Sequence, residues 1–162
     1  IGSTPTCVHT TDLSGVTEVR PGNYSFFDLF QAQLGSCRVE DIALSVLATV
    51  IGHYPDRQQL VIDAGALALS KDAGAQHLDP DCGFGQICDL GGQKLPGLHL
   101  RSLSQEHGIV VSRSGVFPAD LGVGSRVRIL PNHACLTAAC HDRYHQVEGE
   151  EVVGWWTPVR GW

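Results

Sequence analysis

The sequence predicts a mainly β domain with short helices at most. It contains 19 glycines and 8 prolines among 162 residues, and its apolar segments are short and separated by turn residues. Such a composition is typical of many short strands rather than of a helical bundle. Hydrophobic residues make up 43% of the chain and charged residues 17%, a balance that excludes a disordered chain. The length fits one ordinary domain or the end of a larger protein.

The longest apolar segment, residues 42–51, predicts a buried strand. Its β-branched residues favour a strand over a helix, and a turn follows it at residues 53–56. Residues 60–62 predict the next strand. The stretch 72–100 is rich in glycine, and we expect it to be mostly loop with one hairpin.

The second half of the chain predicts further short strands. Residues 108–112 form the first of them. Polar and apolar residues alternate over 126–130, which indicates a half-buried strand, and Pro131 ends it. Residues 145–156 predict the last strand pair.

Charge and cysteine content exclude several classes of protein. The net charge of −6 argues against a nucleic-acid binder, which needs a clustered basic face, and against an anionic membrane surface as a partner. No apolar run approaches the roughly 20 residues of a membrane span. The six cysteines form no disulfide framework, so we expect them to be reduced and the protein to be cytoplasmic. The chain has no methionine and starts at Ile1, and we expect it to be part of a longer protein.

His133 and Cys135 are the candidate metal ligands. Their spacing of two would place both side chains on one face of a strand, and imidazole nitrogen and thiolate sulfur are preferred donors to zinc. Two protein ligands suit an open site in which water and substrate complete the coordination. One alternative is a buried cysteine beside a hydrogen-bonded histidine. Another is a four-ligand site completed by Cys140 and His141.

Two segments near the start of the chain suit an anion. In residues 2–6, hydroxyl side chains beside a glycine can donate N–H and O–H groups to phosphate oxygens; a turn with a helix N-cap is the alternative. In the second segment, Glu18, Arg20 and Gly22 would share one face of an extended strand. The alternative there is a surface Glu–Arg pair worth less than ~1 kcal/mol.

Two other polar groups fit either chemistry or turns. Glu106 and His107, within SQEHG, could serve as an acid–base pair or support a metal ligand, but a hydrogen-bonded turn before a strand explains them as well. The groups at 63–65 (DAG) and 70–72 (SKD) have the same two interpretations.

The order of these motifs is more specific than any one of them. GSTPT, EVRPGNYSFFD, DAGALALSKD, SQEHG, PNHAC and RGW follow one another in a set that resembles the C-terminal part of the D-serine dehydratase and D-threonine aldolase family. The resemblance runs from Gly2 to Trp162. It implies a pyridoxal phosphate (PLP) enzyme of the alanine-racemase-like fold type, in which an upstream (β/α)8 barrel holds the cofactor. Residues 1–28 would then be the final strand region of that barrel and the crossover, and residues 29–162 the C-terminal β domain.

The resemblance also implies roles for individual residues. His133 and Cys135 match the ligands of a divalent metal, zinc being favoured by the thiolate over magnesium or manganese. Arg20 matches the position that faces the pyridine nitrogen in alanine racemases, and the other matching residues bind the cofactor phosphate. The cofactor-binding set is therefore Ser3, Thr4, Arg20, Gly22, Asn23 and Tyr24.

The implied activity belongs to the full-length protein. The Schiff-base lysine of the family lies upstream, and neither Lys71 nor Lys94 has its sequence context, so we expect no catalytic residue and no activity in this chain alone. The implied reaction is a PLP- and metal-dependent lyase reaction on a β-hydroxy D-amino acid, preferably dehydration, by a homodimer. The alternatives are a D-threonine aldolase, a stand-alone metal-binding β module and, least favoured, a racemase, because Tyr24, Tyr54 and Tyr144 all lack the expected context.

Overall fold

The computed structural model describes residues 1–160; Gly161 and Trp162, the end of the RGW motif, lie outside the described residues. These residues form eight strands and four short α-helices, besides three 3-10 turns at Asn23–Ser25, Val39–Asp41 and Pro55–Arg57. The strands are β1 (Val46–Tyr54), β2 (Gln59–Ile62), β3 (Gln86–Cys88), β4 (Leu98–Leu103), β5 (Gly108–Ser112), β6 (Arg126–Leu130), β7 (Tyr144–Glu148) and β8 (Glu151–Trp156). The helices are α1 (Thr4–His9), α2 (Leu29–Gln33), α3 (Ala66–Leu69) and α4 (Ala134–Ala139).

Six strands build one antiparallel sheet that nearly closes on itself. Their order is β3-β6-β1-β2-β5-β4, and β7 and β8 form a separate two-stranded ribbon. The two edge strands approach each other, because the Phe84 N–H, just before β3, donates to the Leu100 carbonyl of β4 at 2.9 Å. A sheet closed in this way leaves few unpaired strand edges. The prediction of a mainly β domain with short helices is confirmed.

The first long strand differs in part from its prediction. It begins at Val46 and runs to Tyr54, later than the predicted 42–51, and only alternate residues are buried. Leu47 and Ile51 are exposed although they belong to a continuous apolar run. The reason is that a barrel-like sheet has one inner face, so successive side chains point alternately into the core and outward.

The other predicted strands are found near their expected places. Strands β2, β5 and β6 confirm the three short ones, and the β7–β8 ribbon confirms the last pair. In the glycine-rich stretch, β3 turns back through a bridge between Cys88 and Lys94, which is the predicted hairpin. All six cysteines are free thiols, as expected. Over residues 1–160, no helix combines the length and apolar character that a membrane crossing requires.

The core lies inside the sheet and is apolar. Its fully buried side chains come from strands all round the barrel: Val50, Leu60, Ile62, Ile87, Leu100, Val110, Val127 and Ile129. A second small cluster joins Leu29 of α2 to Cys88 and Leu130. This cluster fixes α2 against the end of β6, where the candidate metal ligands follow.

The DAG and SQEHG motifs pack against each other. The Ala66 and Leu67 N–H groups, at the start of α3, donate to the carbonyls of Ser104 (2.9 Å) and Gln105 (3.0 Å) in the β4–β5 turn. These carbonyls take up N–H groups that a helix start leaves without an intrahelical partner. The contacts support the turn interpretation of both motifs.

We expect Gly65→Ala to destabilise the chain by about 1–3 kcal/mol, the usual cost of overpacking. A Cβ atom at Gly65 would lie 2.5 Å from backbone atoms of Glu106 and His107, and backbone cannot move aside cheaply. The matched control is Gly122→Ala, where nothing lies within 4 Å of the new Cβ atom. Urea unfolding of both variants measures the difference, and equal midpoints would contradict the close packing.

Candidate metal and cofactor site

The segment that carries the candidate metal ligands is not a strand, so that prediction is wrong. Strand β6 ends at Leu130, and after Pro131 and Asn132 the chain enters α4. His133 is the N-cap of this helix in an extended conformation, and Cys135 lies in its first turn. The sequence ACLTAA that follows His133 is rich in alanine, the best helix former, which explains the helix. The two residues lie where the chain passes from β6 into α4.

His133 is held by a carboxylate on one side of its ring. Its Nδ1 lies 2.8 Å from Oδ2 of Asp72, and both side chains are about one-third exposed, at 31% and 30%. Burial opposes ionisation of Asp72, but hydrogen bonds from His133 and from the Gly74 N–H outweigh it and lower the pKa of this carboxyl. A carboxylate only accepts hydrogen bonds, so Nδ1 carries a proton, and in the neutral ring the lone pair is then on Nε2. Metal-ligating histidines are typically held in this way.

Cys135 receives a weak hydrogen bond from Asn23. The Asn23 Nδ2 lies 3.8 Å from the Cys135 Sγ and also donates to Oδ2 of Asp28. Partial burial, and then the negative charge of Asp28, raise the pKa of the Cys135 thiol. Both partners of the Asn23 side chain are acceptors, so its amide nitrogen must face them. Its Oδ1 is then buried and has no hydrogen-bond partner within the described residues. The Asn23 N–H acts in the opposite direction and favours the thiolate form that binds metal, but its effect on the pKa is smaller than that of burial.

Asp28 joins the two parts of the site. Its side chain is fully buried, and its Oδ1 accepts the Gln31 N–H at 2.9 Å, which caps α2. Its Oδ2 accepts the Ala134 N–H at 2.7 Å as well as the Asn23 amide. Asp28 therefore contacts both the Gly22–Tyr24 loop and the residue between the two candidate metal ligands.

The two segments predicted to bind the phosphate lie side by side. Gly2 forms an isolated parallel bridge with Arg20, and the Tyr24 N–H donates to the Thr4 hydroxyl at 3.0 Å. Ser3 is the N-cap of α1, donating to the Thr6 hydroxyl and accepting the Thr6 N–H. The Ser3 hydroxyl thus caps α1, as the turn alternative predicts, whereas the Thr4 hydroxyl joins the two segments.

Two backbone groups in this region are available to an anion. Within residues 1–160, neither the Gly22 nor the Asn23 N–H donates a hydrogen bond, and adjacent free N–H groups suit a phosphate. The Arg20 guanidinium pairs with Glu18 through two hydrogen bonds of 2.7 and 3.1 Å, both side chains being largely exposed. The predicted Glu–Arg surface pair is therefore present, and the role of Arg20 toward a cofactor stays a prediction.

The four-ligand metal site is wrong. The His141 Nε2 contacts the Ala68 carbonyl at 2.9 Å, and the exposed Cys140 thiol contacts the Leu136 carbonyl of its own helix. Across the described part of the chain, no group of three or more His, Cys, Asp or Glu side chains could hold a metal. The open pair of His133 and Cys135 stays a prediction.

Sequence reasoning missed Asp28, which lies within the EVRPGNYSFFD motif and has no predicted role. It left Asp72, within SKD, open between support of a metal ligand and turn chemistry. The single usable signal was that both are carboxylates inside motifs of the ordered set. Their contacts cross 106 and 61 residues of sequence, which no local pattern reports.

Comparison with known proteins places the chain in a family. Residues 43–147 match the family model described as "Putative serine dehydratase domain". The chain belongs to this family. D-threo-3-hydroxyaspartate dehydratase of Delftia is 46% identical over the whole chain, and D-serine dehydratase of Dictyostelium discoideum is 40% identical. The chain spans only 44% and 42% of these two relatives. An uncharacterized protein of Mycobacterium tuberculosis is 33% identical over 80% of this chain, and the matched region makes up 91% of that protein.

Solved structures confirm the fold of this serine dehydratase domain. Two of them are variants of D-threo-3-hydroxyaspartate dehydratase. One has a histidine replaced by alanine, and the other is metal-free and has a cysteine replaced by alanine. Both superpose with a TM-score of 0.89 over 99% of this chain, which corresponds to 42% and 44% of the variants' own chains. An alanine-racemase-like protein of Idiomarina loihiensis superposes with a TM-score of 0.90. It is 41% identical over 99% of this chain and 43% of its own chain. D-threonine aldolase of Filomicrobium marinum, 26% identical over 96% of this chain and 39% of its own, gives 0.68.

We expect Asp72→Asn to weaken metal binding by about 10- to 100-fold, the usual effect of losing the partner of a ligating histidine. The amide oxygen would keep the Gly74 N–H, so the amide N–H group would face Nδ1 of His133. The ring proton would then move to Nε2, and this nitrogen would no longer have a lone pair for the metal. Titration with Co²⁺ measures the affinity. The control is Asp142→Asn, because the Asp142 side chain is 98% exposed and pairs only with Arg160 among the described ion pairs. Equal affinity of the Asp72→Asn variant and the parent would contradict this role.

Proposed function

We propose that this chain is the metal-bearing C-terminal domain of a PLP-dependent lyase that removes water from β-hydroxy D-amino acids. The observation that carries the proposal is the Asp72–His133 pair beside Cys135, which leaves one imidazole nitrogen and one sulfur free as donors. The metal-free dehydratase variant supports it, because its replaced cysteine lies two positions after the replaced histidine of the other variant. His133 and Cys135 have the same spacing.

The residues present fit the groups that this function requires. Imidazole and thiolate suit zinc better than magnesium or manganese, and the free N–H groups of Gly22 and Asn23 suit a phosphate. No lysine of this chain is placed to carry the cofactor: Lys71 is exposed, and Lys94 lies in the β3 hairpin. The Schiff-base lysine would come from the upstream part that the relatives have.

Each residue of the site has a distinct task in this proposal. PLP, when bound, supplies the electron sink at Cα, and the metal supplies a Lewis acid for the β-hydroxyl. Asp72 fixes the tautomer of His133, so that Nε2 is free to bind the metal. Asn23 orients the sulfur of Cys135 and supports its negative charge. His133 and Cys135 would therefore hold the metal that assists the departure of hydroxide, and upstream residues would carry out the proton transfer at Cα.

Dehydration is favoured over the aldolase reaction by two facts. The two dehydratase relatives are 46% and 40% identical to the chain, whereas the aldolase structure is 26% identical. The second is a cysteine, Cys135, at the second ligand position, which favours a zinc-dependent dehydratase, whereas an aspartate there would favour magnesium or manganese. We further propose a homodimer in the cytoplasm, where the six free cysteines would stay reduced.

Product analysis of the full-length protein tests the reaction. The protein is supplied with PLP and zinc and given D-serine, D-threonine or D-threo-3-hydroxyaspartate, with and without a chelator. Dehydration of D-threonine yields ammonia and 2-oxobutyrate, and we expect both to disappear with the chelator. Glycine and acetaldehyde would show the aldolase instead. Chelator-resistant formation of ammonia would remove the metal from the proposal.

A non-catalytic metal-binding module is the second candidate. The mycobacterial relative favours it, because this chain covers 91% of that protein, so a protein of about this size exists in the family. The DNA upstream of the codon for Ile1 separates the two candidates. An open reading frame encoding a barrel supports the lyase, and a start codon with no barrel supports the module.

A further inference from the structure

Asp28 is a buried carboxylate that has no cation for a partner. It is fully buried, and no Lys, Arg or His side chain among residues 1–160 forms an ion pair with it. Three N–H groups satisfy it instead, from Gln31, Ala134 and Asn23. A buried charge is costly unless its hydrogen bonds are complete, so this arrangement needs a reason.

Capping α2 alone does not explain Asp28. That task uses only Oδ1, which accepts the Gln31 N–H, and serine or asparagine would cap a helix equally well. The attachment of α2 to the end of β6 is also secured independently. The Leu29 and Phe30 N–H groups donate to the carbonyls of Pro131 (3.1 Å) and Asn132 (3.3 Å).

The second oxygen of Asp28 connects two loops with different proposed tasks. Oδ2 accepts the N–H of Ala134, which lies between His133 and Cys135, and the side-chain amide of Asn23. Asn23 in turn contacts the sulfur of Cys135 and has a free backbone N–H beside that of Gly22. One carboxylate oxygen thus fixes the phosphate-binding loop relative to the metal pair.

We infer that Asp28 is a positioning residue that couples the metal site to the cofactor site by holding Asn23 and Ala134 on a single carboxylate oxygen. The inference rests on the proposed function. Only a group that is an acceptor at both oxygens can hold all three donors, so the carboxylate, and not merely a polar side chain of this size, is required.

Asp28→Asn in the full-length protein tests the inference. Asparagine keeps the volume and the α2 cap, but its amide N–H group would face the N–H of Ala134 and the amide of Asn23. We expect Co²⁺ affinity, read from thiolate-to-cobalt absorption, to fall about tenfold or more, by analogy with other residues that support metal ligands. PLP affinity, read from cofactor absorbance without metal, is expected to fall as well. His133→Ala should lose Co²⁺ binding and keep PLP binding.

The controls separate coupling from general damage. Asp89→Asn makes the same change at an exposed carboxylate that accepts the Gln93 N–H, and both affinities should stay at the parental values. If Asp28→Asn does not fold by circular dichroism, Asp28→Ser keeps the cap oxygen without adding the opposing amide, and the same two losses are expected.

Three results would overturn the inference. Parental affinities in Asp28→Asn for both Co²⁺ and PLP would reduce Asp28 to a helix cap. Loss of Co²⁺ affinity alone would limit its action to α4, and loss of PLP affinity alone to the Asn23 loop. A parent protein whose Co²⁺ binding does not depend on His133 would instead refute the proposed function, and the inference with it, which distinguishes that failure from the first three.

Discussion

Replacing His133 by alanine in the full-length protein is expected to lower metal-dependent turnover by about a hundred- to thousandfold. Lewis-acid assistance by a bound metal is worth several kcal/mol, and each 1.36 kcal/mol corresponds to about a factor of ten in rate. His133 offers its Nε2 because Asp72 occupies the other ring nitrogen at 2.8 Å. Alanine removes that donor and leaves Cys135 as the single proposed protein ligand.

The measurement combines turnover with zinc content and the cofactor absorption band. We expect zinc to be lost while the cofactor band persists, since the residues proposed to contact the cofactor lie on other segments. His145→Ala is the matched control, because this histidine is exposed on β7. Turnover of the His133→Ala variant at the parental rate, still sensitive to chelator, would show that the metal is held elsewhere.

Replacing Ile129 by alanine is expected to destabilise the chain by about 2–5 kcal/mol. Ile129 has no exposed surface, and β6 pairs it with Val46 on one side and Ile87 on the other. The smaller side chain removes apolar contacts and leaves a cavity that the closed sheet cannot fill. Since whole domains are stable by only about 5–15 kcal/mol, this is a large fraction of the total.

Urea unfolding followed by far-ultraviolet circular dichroism measures the loss. Ile51→Ala is the control, since it is the same chemical change on the same sheet at a side chain that is 44% exposed, and a shift within about 1 kcal/mol is expected. If Ile129→Ala does not fold, Ile129→Val, with an expected loss of about 0.5–1.5 kcal/mol, gives the direction. Equal losses at Ile129 and Ile51 would contradict the closed core.

Much of the fold was predictable because its elements depend on local patterns. The alternation of polar and apolar residues over Arg126–Leu130 specifies a half-buried strand in any antiparallel sheet, and β6 is that strand. The apolar run beginning at Ile42 was misjudged because an inner and an outer apolar residue look alike in sequence. Only the curvature of the sheet decides that Val46 is buried and Leu47 is exposed.

The sequence by itself determined the mainly β class, through composition and periodicity, and its ordered motifs identified the family by resemblance. It also offered His133 and Cys135 as the candidate metal pair, because their residue types are preferred donors to zinc. The tertiary structure decided how the pair is supported, by bringing Asp72 to His133 across 61 residues and Asp28 to Ala134 across 106. It also places the pair at the start of a helix, and not on the strand that the sequence predicts. A hydrogen bond between distant segments depends on how the whole sheet closes, and for that reason no local pattern contains it.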